Sequence, residues 1–259
     1  MKTGDFMAEW SSKQYLKFAN ERNQPSLDLI SRLTGNYNKI LDLGCGPGNS
    51  TNNLKNHFQS AEIIGFDGDE NMLSKAEKDY PNMKFIKGFA PDDFDKLDDN
   101  YDLVFSNACI HWIKNQQGLI EGVESILSSK GTFAVQIPLT NESAFYKILY
   151  RLVDEKWHEL KDIQNFHNLD ANEYYNLLSE HFSKVTIWKT DYYHTVDSKI
   201  EVVEWYKGSG LRPYLSALDD NKKQDFINDI QKEIDKSYQA QKDGKVFLIM
   251  PRLFFIAEK

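Results

Sequence analysis

The run "KILDLGCGPGNSTNNL", Lys39 to Leu54, sets three glycines within five positions between an apolar segment and a helix-like one. A glycine-rich turn between a strand and a helix offers backbone N–H groups and a helix N-terminus to a ligand, at the sheet edge where α/β folds hold cofactors. The surrounding pattern agrees with that placement. "KILDLG", "EIIGFD", "MKFIKG", "YDLVFSN" and "TFAVQIP" read as short buried strands. Between them, "NSTNNLKNHF" reads as a helix capped by Asn49 or Ser50, "ENMLSKAEKDYP" as one stopped by Pro81, and "NQQGLIEGVESILSSKG" as one ending at Gly131. Strands separated by single helices imply right-handed crossovers and a parallel sheet covered on both faces, so the expected fold class is α/β, doubly wound.

After Pro138 the pattern changes to aromatic-rich helical stretches, "ESAFYKILYRLVDEKWHEL" and "ANEYYNLLSEHF", before "KVTIWKTDYYH" returns as a strand. A helical block then runs from about Ser198 to Gln241, and "KVFLIMPRLFFIAEK" supplies the last strand of seven. The 259 residues are expected to form a single domain. Its core would span about 30–138, 184–194 and 245–259, and a helical lid about 139–183 and 195–244. The N-terminal helix, 10–30, would close over the cofactor.

A formal net charge of −8, with lysines scattered singly among acids, argues against nucleic acid as a partner and favours a small molecule. No apolar stretch reaches the roughly 18 residues of a membrane span, and the N-terminus has no apolar signal region, so a cytoplasmic protein is expected. Cys45 and Cys109 fit neither a disulfide framework nor a zinc site, and His57, His158, His167 and His181 lack metal-ligand spacing.

The turn's ligand follows by elimination. A phosphate-binding P-loop needs Lys-Ser or Lys-Thr after the glycines, and a dinucleotide fingerprint needs a glycine where Asn49 stands. Asp42, two residues before Gly44, would repel a pyrophosphate but suits an ammonium group. Asp67 ends the second strand about 20 residues past the turn, where an acid accepts both hydroxyls of a ribose. An amino-acid head, a ribose and no phosphate describe S-adenosylmethionine.

"LDLGCGPG" also resembles the cofactor motif of class I methyltransferases, a resemblance that carries to Asp42, Gly44, Gly46 and Asp67. Along nearly its whole length the chain resembles the trans-aconitate 2-methyltransferase family, through "YLKFANERNQPSLDLI", "LDLGCGPGNST", "YDLVFSNACIHW", "YYNLLSEHFSKVTIWKTDYYH", "GLRPYL" and "PRLFFIA". The resemblance implies a Rossmann-like sheet and methyl transfer from S-adenosylmethionine to a carboxylate of trans-aconitate. It also implies cofactor contacts from Tyr15, Arg22, Cys45, Gly68, Met72, Phe89, Ala90 and Asn107. Tyr193 is the implied substrate neighbour. His111, which follows the fourth strand beside the expected methyl-transfer zone, is a candidate to bind substrate, with helix packing as its alternative role. Two positions depart from the family pattern: Gln24 in "RNQP" replaces an arginine, and Phe89 in "KGFAPDD" replaces an acid that would bind adenine.

Arginine usage points independently to an anionic substrate. Only five of 31 basic residues are arginines, and Arg22, Arg212 and Arg252 sit in "ANERNQP", "SGLRPYL" and the apolar "IMPRLFFIA". A guanidinium grips a carboxylate through two parallel hydrogen bonds, so Arg212 and Arg252 are candidate clamps for a polycarboxylate. A carboxylate is ionised at pH 7 and needs no general base, so no catalytic residue is assigned. Two rival readings remain at this level: a methyltransferase for another small carboxylic acid or a malonyl thioester, and a non-catalytic S-adenosylmethionine-binding protein. The protein is expected to be a monomer or weak dimer.

Overall fold

The computed structural model describes residues 19–163 and 166–259. One seven-stranded sheet runs β3-β2-β1-β4-β5-β7-β6. Its strands are β1 (Lys39–Leu43), β2 (Glu62–Asp67), β3 (Lys84–Lys87), β4 (Tyr101–Asn107), β5 (Leu127–Pro138), β6 (Lys184–Val196) and β7 (Val246–Glu258). The first five pair in parallel, and β7 lies antiparallel to β5. Ile40, Leu41, Ile64, Leu103, Val104 and Phe105 are fully buried, which is why these strands read as continuous apolar runs rather than alternating ones.

Helix α1 (Ala19–Ser31) precedes β1, and α2 (Asn49–His57), α3 (Glu70–Asp79) and α4 (Gln116–Ile126) carry crossovers. Asp69 caps α3 by accepting from the N–H groups of Asn71 and Met72, and Asn115 caps α4 by accepting from Gly118 N–H. Two boundaries differ from the sequence reading. Helix α2 opens from Gly48, in a left-handed conformation at φ 87° with no side-chain cap. Asn49 and Ser50 lie inside the helix, and the Ser50 hydroxyl is engaged by Asp42 instead. Helix α4 stops at Ile126, not Gly131, because Leu127 already pairs with Tyr101 and the run "LSSKG" joins β5 across an irregular register.

The chain divides into two compact units. The sheet unit comprises Asn23–Pro138, Phe166–Thr190 and Arg252–Lys259. It includes α6 (Ala171–Ser179), opened by a capping box between Asp170 and Glu173, and the buried Tyr174 donates its hydroxyl to Gln116 Oε1 at 3.1 Å. The other unit contains Leu139–Asn165 and Asp191–Pro251, so of the stretches expected as a lid, 139–165 and 195–244 cluster here and 166–183 with the sheet. Its helices are α5 (Ala144–Glu155), α7 (Lys199–Lys207), α8 (Arg212–Ser216) and α9 (Asp220–Ser237). They pack Phe145, Leu149, Val202, Phe226 and Ile230 into a core where Phe145 stacks on Tyr206 and Trp157 meets Phe226 edge-on. The exposed Lys156 and the indole of Trp157 both donate to Asp229, which satisfies that inward-facing carboxylate. Among the described residues no helix is long and apolar enough to cross a membrane.

Candidate cofactor and substrate site

The glycine turn is tied down by the strand beside it. Gly44 and Cys45 donate their N–H groups to Phe66 O at 2.7 and 3.2 Å, and Gly46 N–H donates to Asp67 Oδ2 at 2.9 Å. Gly44 is required twice over: its φ is +75°, and a Cβ there would come within 2.1 Å of Cys109 Sγ. Asp67 Oδ1 accepts the Asp69 N–H at 2.8 Å, so both oxygens are oriented while each keeps acceptor capacity. The buried thiol of Cys45 is pushed up in pKa by desolvation and by Asp42, and Cys109 is pushed up to about 12, so neither is a nucleophile at neutral pH.

Asp42 lies fully buried at the end of β1. Its Oδ2 accepts hydroxyl hydrogens from Ser50 and Thr51, both at 2.7 Å. Its Oδ1 has no hydrogen-bond partner among the described residues. Burial pushes its pKa up from 3.8 to about 6, the two hydroxyls pull it down, and Asp67 adds repulsion. A buried acceptor of this kind wants a donor, and a cationic donor most of all.

At the neighbouring edge the Phe89 ring lies over Gly68, where a Cβ would meet it at 2.3 Å, and its side is 63% exposed. Met72, in the first turn of α3, is also exposed. Ala90 follows Phe89 in the loop after β3. Asp93 pairs with Lys96 and accepts Phe89 N–H at 2.8 Å, and these bonds hold its carboxyl below the usual range.

The third group gathers past β4. Asn107 ends the strand, with Oδ1 buried and unpartnered among the described residues. Ala108 takes the left-handed φ of 54°, a conformation costly for a non-glycine residue, and donates its N–H to Gln136 O at 2.8 Å. His111 is buried, with its ring 5.1 Å from Trp112 and 5.4 Å from Phe166. Burial, aided by the Arg252 guanidinium, pushes its pKa down to about 3, so it is neutral at pH 7. Arg252 pairs with Pro138 across β5 and β7. Gln136, which the sequence reading passed over, is buried on β5 as the register partner of Asn107. A lone amide inside "TFAVQIP" was the available signal.

Tyr15 and the Arg22 side chain fall outside the described residues, and Gln24 donates within α1 to Asp28. Tyr193, 59% exposed and edge-on to Phe247, and Arg212, the first residue of α8, belong to the helical unit, whereas His111 and Arg252 belong to the sheet unit. Among the described residues no cluster of His, Cys, Asp or Glu could hold a metal ion.

This sheet order, with a glycine turn after β1 and an acid closing β2, is that of an S-adenosylmethionine-dependent class I methyltransferase. A family model described as a methyltransferase domain matches residues 36–199. A trans-aconitate 2-methyltransferase of Yersinia pseudotuberculosis is 33% identical over 97% of this chain and 98% of its own length. One from Sinorhizobium fredii is 34% identical over 96% and 98%. The chain belongs to the trans-aconitate 2-methyltransferase family. The fold is shared with the YcgJ protein of Bacillus subtilis, at a TM-score of 0.60 and 17% identity over 91% of this chain and 98% of that one. It is also shared with a Haemonchus contortus phosphoethanolamine N-methyltransferase solved with S-adenosyl-L-methionine, at 0.56 and 15% over 91% and 52%.

Proposed function

We propose that this protein methylates a carboxylate of trans-aconitate to give its monomethyl ester, with the glycine turn holding the cofactor and the ends of β4 and β5, together with Arg252 on β7, facing the acid. S-adenosylmethionine supplies a methyl group on a positively charged sulfur. Asp42 Oδ1, a buried acceptor without a donor, fits the ammonium of its amino-acid head. Asp67, already oriented by Gly46 and Asp69, fits the ribose hydroxyls. The exposed face of Phe89 offers adenine a stacking surface in place of an acid.

Arg252 carries the substrate reading: it places a guanidinium midway along an otherwise apolar strand, level with the end of β5, and near enough to His111 to help keep that imidazole neutral. The names of the relatives that match nearly the whole chain support trans-aconitate as the acid. The acceptor oxygen is ionised at pH 7, so the weakly basic His111 has no proton to remove. The protein's contribution is to hold the carboxylate near the methyl carbon, roughly 3 to 3.5 Å away, and to exclude water, because opposite charges are neutralised as the reaction proceeds.

The test is a panel of trans-aconitate, other di- and tricarboxylates, a malonyl thioester and a fatty acid, read by S-adenosylhomocysteine release and product mass. Trans-aconitate should give the highest kcat/KM and a monomethyl ester. Preference for the thioester or fatty acid would overturn the assignment.

A further inference from the structure

Gln136 is an odd residue for its position. It lies near the end of β5, between the fully buried Val135 and Ile137, and is itself 1% exposed. Its Nε2 has no hydrogen-bond partner among the described residues. A buried amide left unpaired is a standing cost, and an apolar residue of the same shape would remove it. Its surroundings say what would satisfy it. Gln136 pairs in register with Asn107 on one side and Phe254 on the other, while Arg252 pairs with Pro138. Residues directly across a ladder share a face, and residues two apart along a strand share it too. Asn107, Gln136, Phe254 and Arg252 are therefore on one face of the sheet, with Gln136 and Arg252 diagonal neighbours, within reach of long side chains. His111, electrostatically coupled to Arg252, adds a second buried nitrogen, Nδ1, without a partner among the described residues.

The Gln136 amide donor, which has no acceptor among the described residues, fits a ligand rich in oxygen. We propose that Gln136 is a further substrate-binding residue, its carboxamide N–H donating to a carboxylate oxygen of the methyl acceptor beside the charge of Arg252. This rests on the reading of the acceptor as a small polycarboxylate. Gln136 would discriminate among acids by hydrogen-bond geometry rather than charge, since a site built around a buried donor rejects ligands that leave it unpaired.

The test compares the parent with Gln136→Met, which keeps volume and removes the donor, and Gln136→Glu, which puts a negative charge in its place. Three readouts are needed: melting temperature, S-adenosylhomocysteine affinity by calorimetry, and trans-aconitate binding to the S-adenosylhomocysteine complex together with steady-state turnover. For Gln136→Met we expect an unchanged or higher melting temperature, cofactor affinity within twofold of the parent, and acceptor binding weaker by at least tenfold. Gln136→Glu should weaken acceptor binding further. Acceptor binding and kcat/KM within twofold of the parent in the Met variant would overturn the role of Gln136, as would a joint fall in melting temperature and cofactor affinity, which would mark the residue as structural. A parent that binds polycarboxylates without methylating them would overturn the proposed function and still leave the Gln136 comparison readable. A parent that neither binds nor methylates any of them removes both.

Discussion

The carboxyl end of the parallel strands offers two neighbouring stretches of edge, and they treat their polar atoms in opposite ways. Around the glycine turn, the N–H groups of Gly44, Cys45 and Gly46 and the hydroxyls of Ser50 and Thr51 all find partners within the chain, while Asp42 Oδ1 has none among the described residues. Past β4 and β5, buried atoms of Asn107, His111 and Gln136 have no partner among the described residues. The first edge is preorganised; the second is left waiting. A cofactor shared by many enzymes suits a rigid seat whose geometry exists before binding, while a specific acid is better recognised by groups whose hydrogen bonds are completed only when it arrives.

The largest effect should come from breaking the second edge. Arg252→Ala is expected to lower kcat/KM for trans-aconitate by about 2 to 5 kcal/mol, because the substrate charge would be desolvated without a partner. Arg252→Lys should lose less, since it keeps the charge and gives up only the paired hydrogen bonds. Steady-state kinetics beside thermal melts check both; an equal loss of activity and stability would make Arg252 a structural cation. On the first edge, Asp67→Ala should weaken cofactor affinity by about 1.5 to 3 kcal/mol, the typical value of hydrogen bonds to a charged group. It should also lower the melting temperature, because Gly46 and Asp69 N–H lose their acceptor.

The pH dependence sharpens the contrast. Asp42 has its pKa raised from 3.8 to about 6, so its ionisation destabilises the free fold as pH rises through that window. A cationic ligand favours the ionised form, so S-adenosylmethionine affinity should fall as pH drops below about 6, by up to tenfold per unit. Asp42→Asn should flatten that slope in calorimetric titrations, and a slope unchanged by the substitution would separate Asp42 from the ammonium. His111 behaves in the reverse sense. Its depressed pKa contributes stability that is present above its ordinary 6.5 and lost as pH falls toward about 3, which melts of His111→Gln against pH would register as reduced acid sensitivity. The smallest effect is expected from Phe89→Ala: about 1 kcal/mol of cofactor affinity with little change in melting temperature, since the ring is mostly exposed.

The same contrast explains how much of the molecule was legible beforehand. "LDLGCGPG" and Asp67 could be read because the turn is contiguous and its glycines answer to local backbone geometry. The sheet could be read because buried parallel strands are continuous apolar runs. Ser50 was misread as a cap because its hydroxyl answers to Asp42, eight positions earlier, and the end of α4 was misread because Tyr101 recruits Leu127 into the sheet. Gln136 was missed altogether. Nothing in "TFAVQIP" joins it to Asn107 or Arg252; only the strand register does.

The division of labour between the two edges is tested most directly by measuring S-adenosylmethionine affinity and, at saturating cofactor, kcat/KM for trans-aconitate in Asp67→Ala and Arg252→Ala side by side. The expected result is a crossed pattern: Asp67→Ala loses cofactor affinity and largely keeps kcat/KM for the acid, and Arg252→Ala keeps cofactor affinity and loses kcat/KM. Two variants that lose both quantities together would contradict it.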